Sequence, residues 1–275
     1  MNRLFVVNKP IFRSSNGYMG YVKRKYNTKK VGFSGTLDPF ATGCLIVATG
    51  QYPKLFQYLK KTPKAYSATL WLGANSQSLD IENIDSIKEV SEVSINDIYQ
   101  ALESLRGELT YYPPKFSAKK INGKRAYDLA RAGEEVNLKQ ITSTIYDITL
   151  INYNHPFIHF EAMVSEGTYI RSLGAIIADK LGVDATLSSL RRDYEGAFSY
   201  ENEKALDPLK FLKIPQNIYT GDEKFIELGK KLYIEYFETK ENGEYWVETQ
   251  NFFSIIEILD GEIIYKLNRV HKFDS

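Results

Sequence analysis

The chain has 275 residues, with 35 Lys or Arg against 34 Asp or Glu, 43% hydrophobic residues and a formal net charge of +1. This is the composition of an ordinary soluble globular protein, long enough to bury a proper core in one large domain or two. No apolar run approaches the roughly 20 residues that span a bilayer, and a lone cysteine, Cys44, excludes an internal disulfide and a cysteine-based metal cluster.

In chain order, LFVVNKP (4–10) predicts a short strand stopped by Pro10. NGYMGYVKRKYN (16–27) predicts a helix with one apolar face and with Lys23, Arg24 and Lys25 towards solvent or phosphate. A turn around Asp38 leads into CLIVATG (44–50), a strand whose apolar run makes Cys44 a core residue rather than a reactive thiol. YPKLFQYLKK (52–61) has helical spacing, with Pro53 near its start where proline is tolerated. AYSATLWLG (65–73) alternates as a strand does, and NDIYQALESLRG (96–107) predicts an amphipathic helix ending at Gly107. Residues 111–136 begin as an extended loop, turn at Asn122-Gly123 and become a basic helix ending near Gly133. STIYDITLINYN (143–154) and FIHFEAMVSEG (157–167) predict an antiparallel pair of strands, followed by a helix, TYIRSLGAIIADKLG, ending at Gly182. Beyond Pro208 and Pro215 the segments KKLYIEYFE, GEYWVETQ, FFSIIEIL and GEIIYKL predict short strands separated by NG and DG turns. The expected division is a main domain over 1–212 and a small β-rich appendage over 213–275.

The net charge conceals segregation. Residues 1–79 hold 12 Lys or Arg and one acid, Asp38; 80–112 carry −6, 113–140 carry +4, 141–200 carry −3 and 201–275 carry −5. A strongly basic segment suits a polyanion such as a nucleic acid, although it also suits a solvated surface. Asp38 is therefore the residue to explain. Asp-Pro flanked by glycines is ordinary turn chemistry, and a structural turn is one reading of VGFSGTLDPFATG. Other chemistries are poorly supplied. His155, His159 and His271 form no metal-ligand spacing, and no Gly-rich phosphate loop with its lysine is present.

The set NKP, GTLDPFATG, KAY, YPPKFSAKKINGKRAY, GTYIR and LRR, in that order between residues 4 and 212, resembles the TruB family of tRNA pseudouridine synthases. The pair GTLDPFATG and GTYIR, about 130 residues apart, makes the resemblance specific. It implies an α+β (mixed α/β) catalytic domain on a largely antiparallel sheet, with the appendage as a shortened RNA-binding β domain. It further implies a cytoplasmic, monomeric enzyme that acts on uridine 55 in the T-arm of tRNA, with no membrane, metal or cofactor. Asp38 would be the catalytic carboxylate and Arg171 the cation that holds it and keeps its pKa low. Tyr66 would lie against the uracil, Tyr169 and Leu190 would line the pocket, and Lys54 and Asp80 would add polar contacts. Most members have a histidine five residues before the aspartate; here Phe33 stands there, able to stack in the gap left by a flipped base but not to hydrogen-bond. Phe12 stands where the KP motif usually has glycine. Two other classes remain open from the residues alone: a non-catalytic RNA-binding or tRNA-folding protein on the same scaffold, and an aspartate-based glycosidase, which would need Asp80 as its second carboxylate.

Overall fold

A computed structural model describes residues 2–273, apart from 118, 122, 133 and 135–137. The run LFVV becomes the strand β1 (Arg3–Lys9), with residues 4–7 all buried. Burial on both faces requires two cores, because successive side chains point to opposite sides of a sheet. Phe5 and Val7 enter one core together with Leu45 and Val47; Leu4 and Val6 enter the other with Cys44 and Ile46. The helix α1 (Ser15–Lys25) is capped by Ser14, whose hydroxyl accepts from the Gly17 amide, and it buries Met19 and Val22. A short strand β2 (Val31–Ser34) and the long β3 (Thr42–Thr49) flank the Asp38 loop.

The strands that follow are β4 (Lys64–Leu72), β5 (Gly107–Tyr111), β6 (Ile141–Asn154), β7 (Phe157–Val164), β8 (Ala185–Glu195) and β9 (Phe198–Ser199). Among the described residues they form one nine-stranded sheet in the order β1-β3-β8-β4-β7-β6-β5, with β2 also beside β3 and β9 beside β8. All pairings are antiparallel except β3 with β8, where Arg191 and Arg192 run parallel to Thr42 and Gly43. At that junction the backbones come very close. A Cβ on Gly43, whose φ is 100°, would lie 2.2 Å from the Arg192 carbonyl, so only glycine fits there. The helices α2 (Ile95–Glu103) and α4 (Ile170–Leu181) pack against each other and against the sheet, and α3 (Ala126–Arg131) lies in the long connection before β6. Gly182 closes α4 in the left-handed conformation, as its sequence predicts.

Several expected elements differ, each for a tertiary reason. Residues 52–61 form a 3-10 helix over Tyr52–Tyr58 only, because Leu59 turns extended to bridge Leu212 and the Lys60 amide donates to the Phe211 carbonyl. The amphipathic helix stops at Glu103, and Gly107 opens β5 instead of closing the helix, since β6 offers it a pairing partner. The segment LSSLRRDYE, quoted above only for its LRR, lies in β8, a strand at the centre of the sheet. The Asn122-Gly123 turn and the end near Gly133 involve residues outside those described.

In the appendage, KKLYIEYFE forms a 3-10 turn over Ile234–Tyr236 rather than a strand. A one-turn helix α5 (Lys224–Glu227) precedes it, and β10 (Gly243–Glu248), β11 (Phe252–Leu259) and β12 (Glu262–His271) form a three-stranded antiparallel sheet. Phe253, Ile255 and Val270 share a core with Leu4, Val6, Ile46, Leu55 and Phe198. The appendage thus covers one face of the large sheet, and the two regions are joined by apolar burial. Among the described residues no helix is long and apolar enough to cross a membrane.

Candidate active site

Asp38 lies in the loop between β2 and β3, and three contacts fix that loop. The Ser15 hydroxyl donates to the Leu37 carbonyl at 3.0 Å and accepts from the Leu37 amide at 2.9 Å. The Ala41 amide donates to the Asp38 carbonyl at 3.1 Å. The Lys9 ammonium, on a fully buried residue, donates to the carbonyls of Pro10, Arg13 and Pro39 at 2.9, 2.6 and 3.2 Å. Burial pushes the Lys9 amine down to about 8, with the Asp38 carboxylate pulling it back up. The lysine of NKP is therefore a structural clamp on the aspartate's turn.

The second half of the site comes from GTYIR. Tyr169 caps α4 with its backbone extended, and its amide donates to the Tyr111 hydroxyl at 3.0 Å. Arg171, in the first turn and 3% exposed, crosses to Asp38, 133 residues away in sequence. Its Nη2 donates to Asp38 Oδ1 at 3.0 Å, while its Nε lies 2.8 Å from Oδ2 as an ion pair out of line for a hydrogen bond. The rest of the guanidinium is fully used. Nη1 donates to the Ser78 carbonyl at 2.7 Å and to Asp80 Oδ2 at 3.3 Å, and Nη2 also donates to the Phe116 carbonyl at 2.7 Å. Asp80 is buried, and its Oδ1 accepts from the Ser78 hydroxyl at 2.7 Å and the Glu82 amide at 3.0 Å. One buried cation thus serves two carboxylates.

That sharing corrects the expectation of a depressed Asp38 pKa. Burial, the largest influence, pushes the carboxyl above its usual range; Arg171 pulls it down, and the charge of Asp80 pushes it up again. A single arginine does not offset desolvation and a second carboxylate together. The Asp38 side chain keeps 32% of its surface open, and it opens into a pocket.

The pocket has a volume of about 370 Å³, the size of a small-ligand site. Asp38, Tyr66, Tyr169, Arg171 and Leu190 line it, together with Lys64, Lys119, Glu166 and Arg192. Strand register explains half of this wall. On the β4–β8 pair, Tyr66 stands opposite Arg192 and Lys64 opposite Glu195. Glu195 is fully buried, with Oε1 2.7 Å from Arg192 Nη2 and Oε2 3.0 Å from Lys64 Nζ. Arg192 also donates to the carbonyls of Cys44 and Gly35 at 2.9 and 2.8 Å, tying β8 to the start of the Asp38 loop. Burial draws the Arg192 guanidinium down, but Tyr66 and Glu195 beside it carry it above the ordinary arginine value. At the rim, Glu166 lies 3.3 Å from Lys61 and 3.9 Å from Lys64. Burial also raises the Tyr169 phenol, and it lifts the Cys44 thiol to about 12, so this cysteine is an inert core residue.

Of the residues expected in the site, Asp38, Tyr66, Tyr169, Arg171 and Leu190 meet around the pocket, and Asp80 supports them from behind Arg171. Phe33 does not line it: the ring is half-buried on β2 and packs against the core. Lys54 is exposed on the 3-10 helix, also outside the pocket lining. Sequence reasoning gave no role to Lys9, Ser15, Lys64, Arg192 or Glu195. The available signals were the motifs NKP, KAY and LRR, which contain Lys9, Lys64 and Arg192; nothing local marked Ser15 or Glu195.

The sheet is mixed, and beside its parallel junction Asp38 opens into a pocket that also holds Lys64, Lys119, Glu166, Arg171 and Arg192. The crystal structure of a Cbf5-Nop10-Gar1 complex contains a chain of this fold, with TM-score 0.68 and 20% identity over 99% of this chain and 85% of that one. A second is found in an H/ACA RNP bound to a substrate RNA containing 2'-deoxyuridine, with TM-score 0.65 and 19% identity over 99% and 85% of the two chains. At such identities the likeness establishes the fold alone. Within that fold, residues 23–170 match the model of the TruB family pseudouridylate synthase, N-terminal domain. The tRNA pseudouridine synthase B of Sulfurovum sp. (strain NBC37-1) is 76% identical, covering 100% of this chain and 99% of the relative. That of Sulfurimonas denitrificans is 53% identical over 98% and 99% of the two chains. This chain belongs to the TruB family of pseudouridylate synthases.

Proposed function

We propose that the protein is a tRNA pseudouridine synthase that isomerises uridine 55 of the T-arm, with Asp38 as its essential carboxylate. The observation that carries the reading is the Asp38–Arg171 pair, an acid held by a buried arginine with one side open to a cation-lined pocket. The reaction breaks the N1–C1′ bond, turns the uracil in place and joins C5 to C1′; C5 loses a proton and N1 gains one. The substrate supplies leaving group and nucleophile, so no cofactor enters. Asp38 contributes either as a nucleophile or as the base that takes a ribose proton, and both routes need it ionised. A carboxyl whose charged form is poorly solvated is a stronger base and nucleophile than one in water.

The pocket admits one nucleotide rather than a helix, so the target base must leave its stack to reach Asp38. On this reading Tyr66 and Leu190, which line the pocket, face the base, and the Tyr66 hydroxyl serves in proton transfer. Tyr169 closes the side wall. Lys64, Lys119 and Arg192 give the wall a positive character suited to a phosphate chain. The appendage makes at most a modest RNA contact, given its net charge of −4 over residues 213–275. The protein acts as a cytoplasmic monomer on this reading. A glycosidase is disfavoured, because Asp80 is buried and bound by Ser78, Glu82 and Arg171 and so is unavailable as an acid. Mapping of modified uridines in total tRNA, from a strain with and without this gene, tests the proposal. Loss of pseudouridine at position 55 alone is expected; an unchanged map would refute it.

A further inference from the structure

Phe12 is an outlier that neither fold nor chemistry uses. Its φ is 57°, in the left-handed region that bulky side chains avoid, and its ring is 62% exposed. The ring belongs to none of the three apolar cores, and its neighbour Ile11 is 45% exposed. An exposed aromatic on a strained backbone gains nothing for folding, and such strain persists where it serves a site. The place of this strain is informative. The loop 10–13 is bound through Lys9, whose ammonium joins the carbonyls of Pro10 and Arg13 to that of Pro39, next to Asp38. Phe12 is thereby carried on the same clamp that holds the carboxylate. The segment that carries it is basic, with eight Lys or Arg and no acid over residues 1–37, although Glu203 from later in the chain pairs with Lys25.

We propose that Phe12 is a stacking platform for a base of the substrate RNA adjacent to the one that enters the pocket. An exposed aromatic face in a segment rich in Lys and Arg suits a base with its phosphates, since stacking and charge act together there. A protein partner would call for a broader apolar patch than Phe12 and Ile11 present. This inference rests on the proposed function, and the test separates the two.

The test uses the full chain and a T-arm hairpin transcript, with filter binding, steady-state kinetics and thermal unfolding. Phe12→Gly removes the ring and relieves the backbone, so the protein should melt at the same or a higher temperature while its affinity for the hairpin falls on the order of tenfold. KM should rise more than kcat falls. Phe12→Tyr keeps the ring and should retain the parent affinity. A Phe12→Gly protein that binds as tightly as the parent would overturn the inference. So would one that loses melting temperature and affinity together, which would make the ring a packing group. A parent that does not bind the hairpin would overturn the functional reading, and this inference with it.

Discussion

Two buried arginines stand on either side of the pocket, and they differ in what their carboxylates can reach. Arg171 holds Asp38 and Asp80, and Asp38 keeps 32% of its side chain open to the pocket. Arg192 and Lys64 hold Glu195, which has no exposed surface at all. The first cluster has two carboxylates on one buried cation, and the second has two buried cations on one buried carboxylate, with the exposed Glu166 only at the edge of Lys64. Excess negative charge with an outlet leaves a poorly solvated, reactive acid. Excess positive charge sealed by an acid makes a rigid wall that still attracts anions from the pocket side. Ion pairs of similar geometry therefore suit chemistry in one place, as proposed for Asp38, and architecture in the other, and the difference lies in access to solvent and in stoichiometry.

The largest expected effect comes from Asp38→Asn, which should abolish tritium release from 5-tritiated uridine in a T-arm transcript. Ionised Asp38 costs the fold energy, because its folded pKa is raised; the amide removes that cost. Urea unfolding at pH 7 should therefore show stability unchanged or slightly higher, and RNA affinity should hold or rise as a negative charge leaves the pocket. Retained turnover in the folded variant would place the chemistry elsewhere.

Glu195→Gln should do the reverse, acting on stability first. It strands two buried cations and should cost about 3–5 kcal/mol in urea titration. Adding Lys64→Met, which removes one of those cations, should recover part of the loss. A Glu195→Gln protein as stable as the parent would erase the contrast drawn between the clusters.

Asp80→Asn falls between these two. Arg171 loses one charged partner and some of its positional control, so kcat should fall by about 10²-fold with KM little changed. It also sharpens the pH argument. On the proposed mechanism activity requires ionised Asp38 and should be lost as pH falls through its folded pKa, which lies above the ordinary aspartate value. Removing the negative charge of Asp80 removes one of the raising influences, so the acid limb of kcat should move to lower pH. A limb that stays in place would mean Asp38 does not feel Asp80.

Phe33→Ala serves as the mild control outside both clusters. A half-buried ring packed on the core should cost about 1–2 kcal/mol of stability in thermal or urea unfolding, with kcat at saturating RNA nearly unchanged. A large fall in kcat without loss of stability would restore the stacking role that the sequence suggested for Phe33.

Much of this was legible in the chain itself. Apolar runs announced β1 and β3 and alternation announced β4, and β6, β7 and α4 were also foreseen, because contiguous residues record local burial directly. The GTLDPFATG turn and GTYIR named Asp38 and Arg171, since turn chemistry and motif identity are properties of contiguous residues. Other features had no local record. β8 was missed because LSSLRRDYE mixes charges into a central strand, and those charges are buried only because Glu195, Lys64 and Arg192 meet across two strands. The opposition of Tyr66 to Arg192, the sharing of Arg171 between Asp38 and Asp80, and the raised pKa that follows all depend on register and on contacts between distant segments. So does the placement of the appendage, whose strands were foreseen but whose docking on β1 and β3 was not. Sequence fixes which residues prefer to be buried or to turn; the pairing of strands alone decides which buried charges face one another and which one is left open to a substrate.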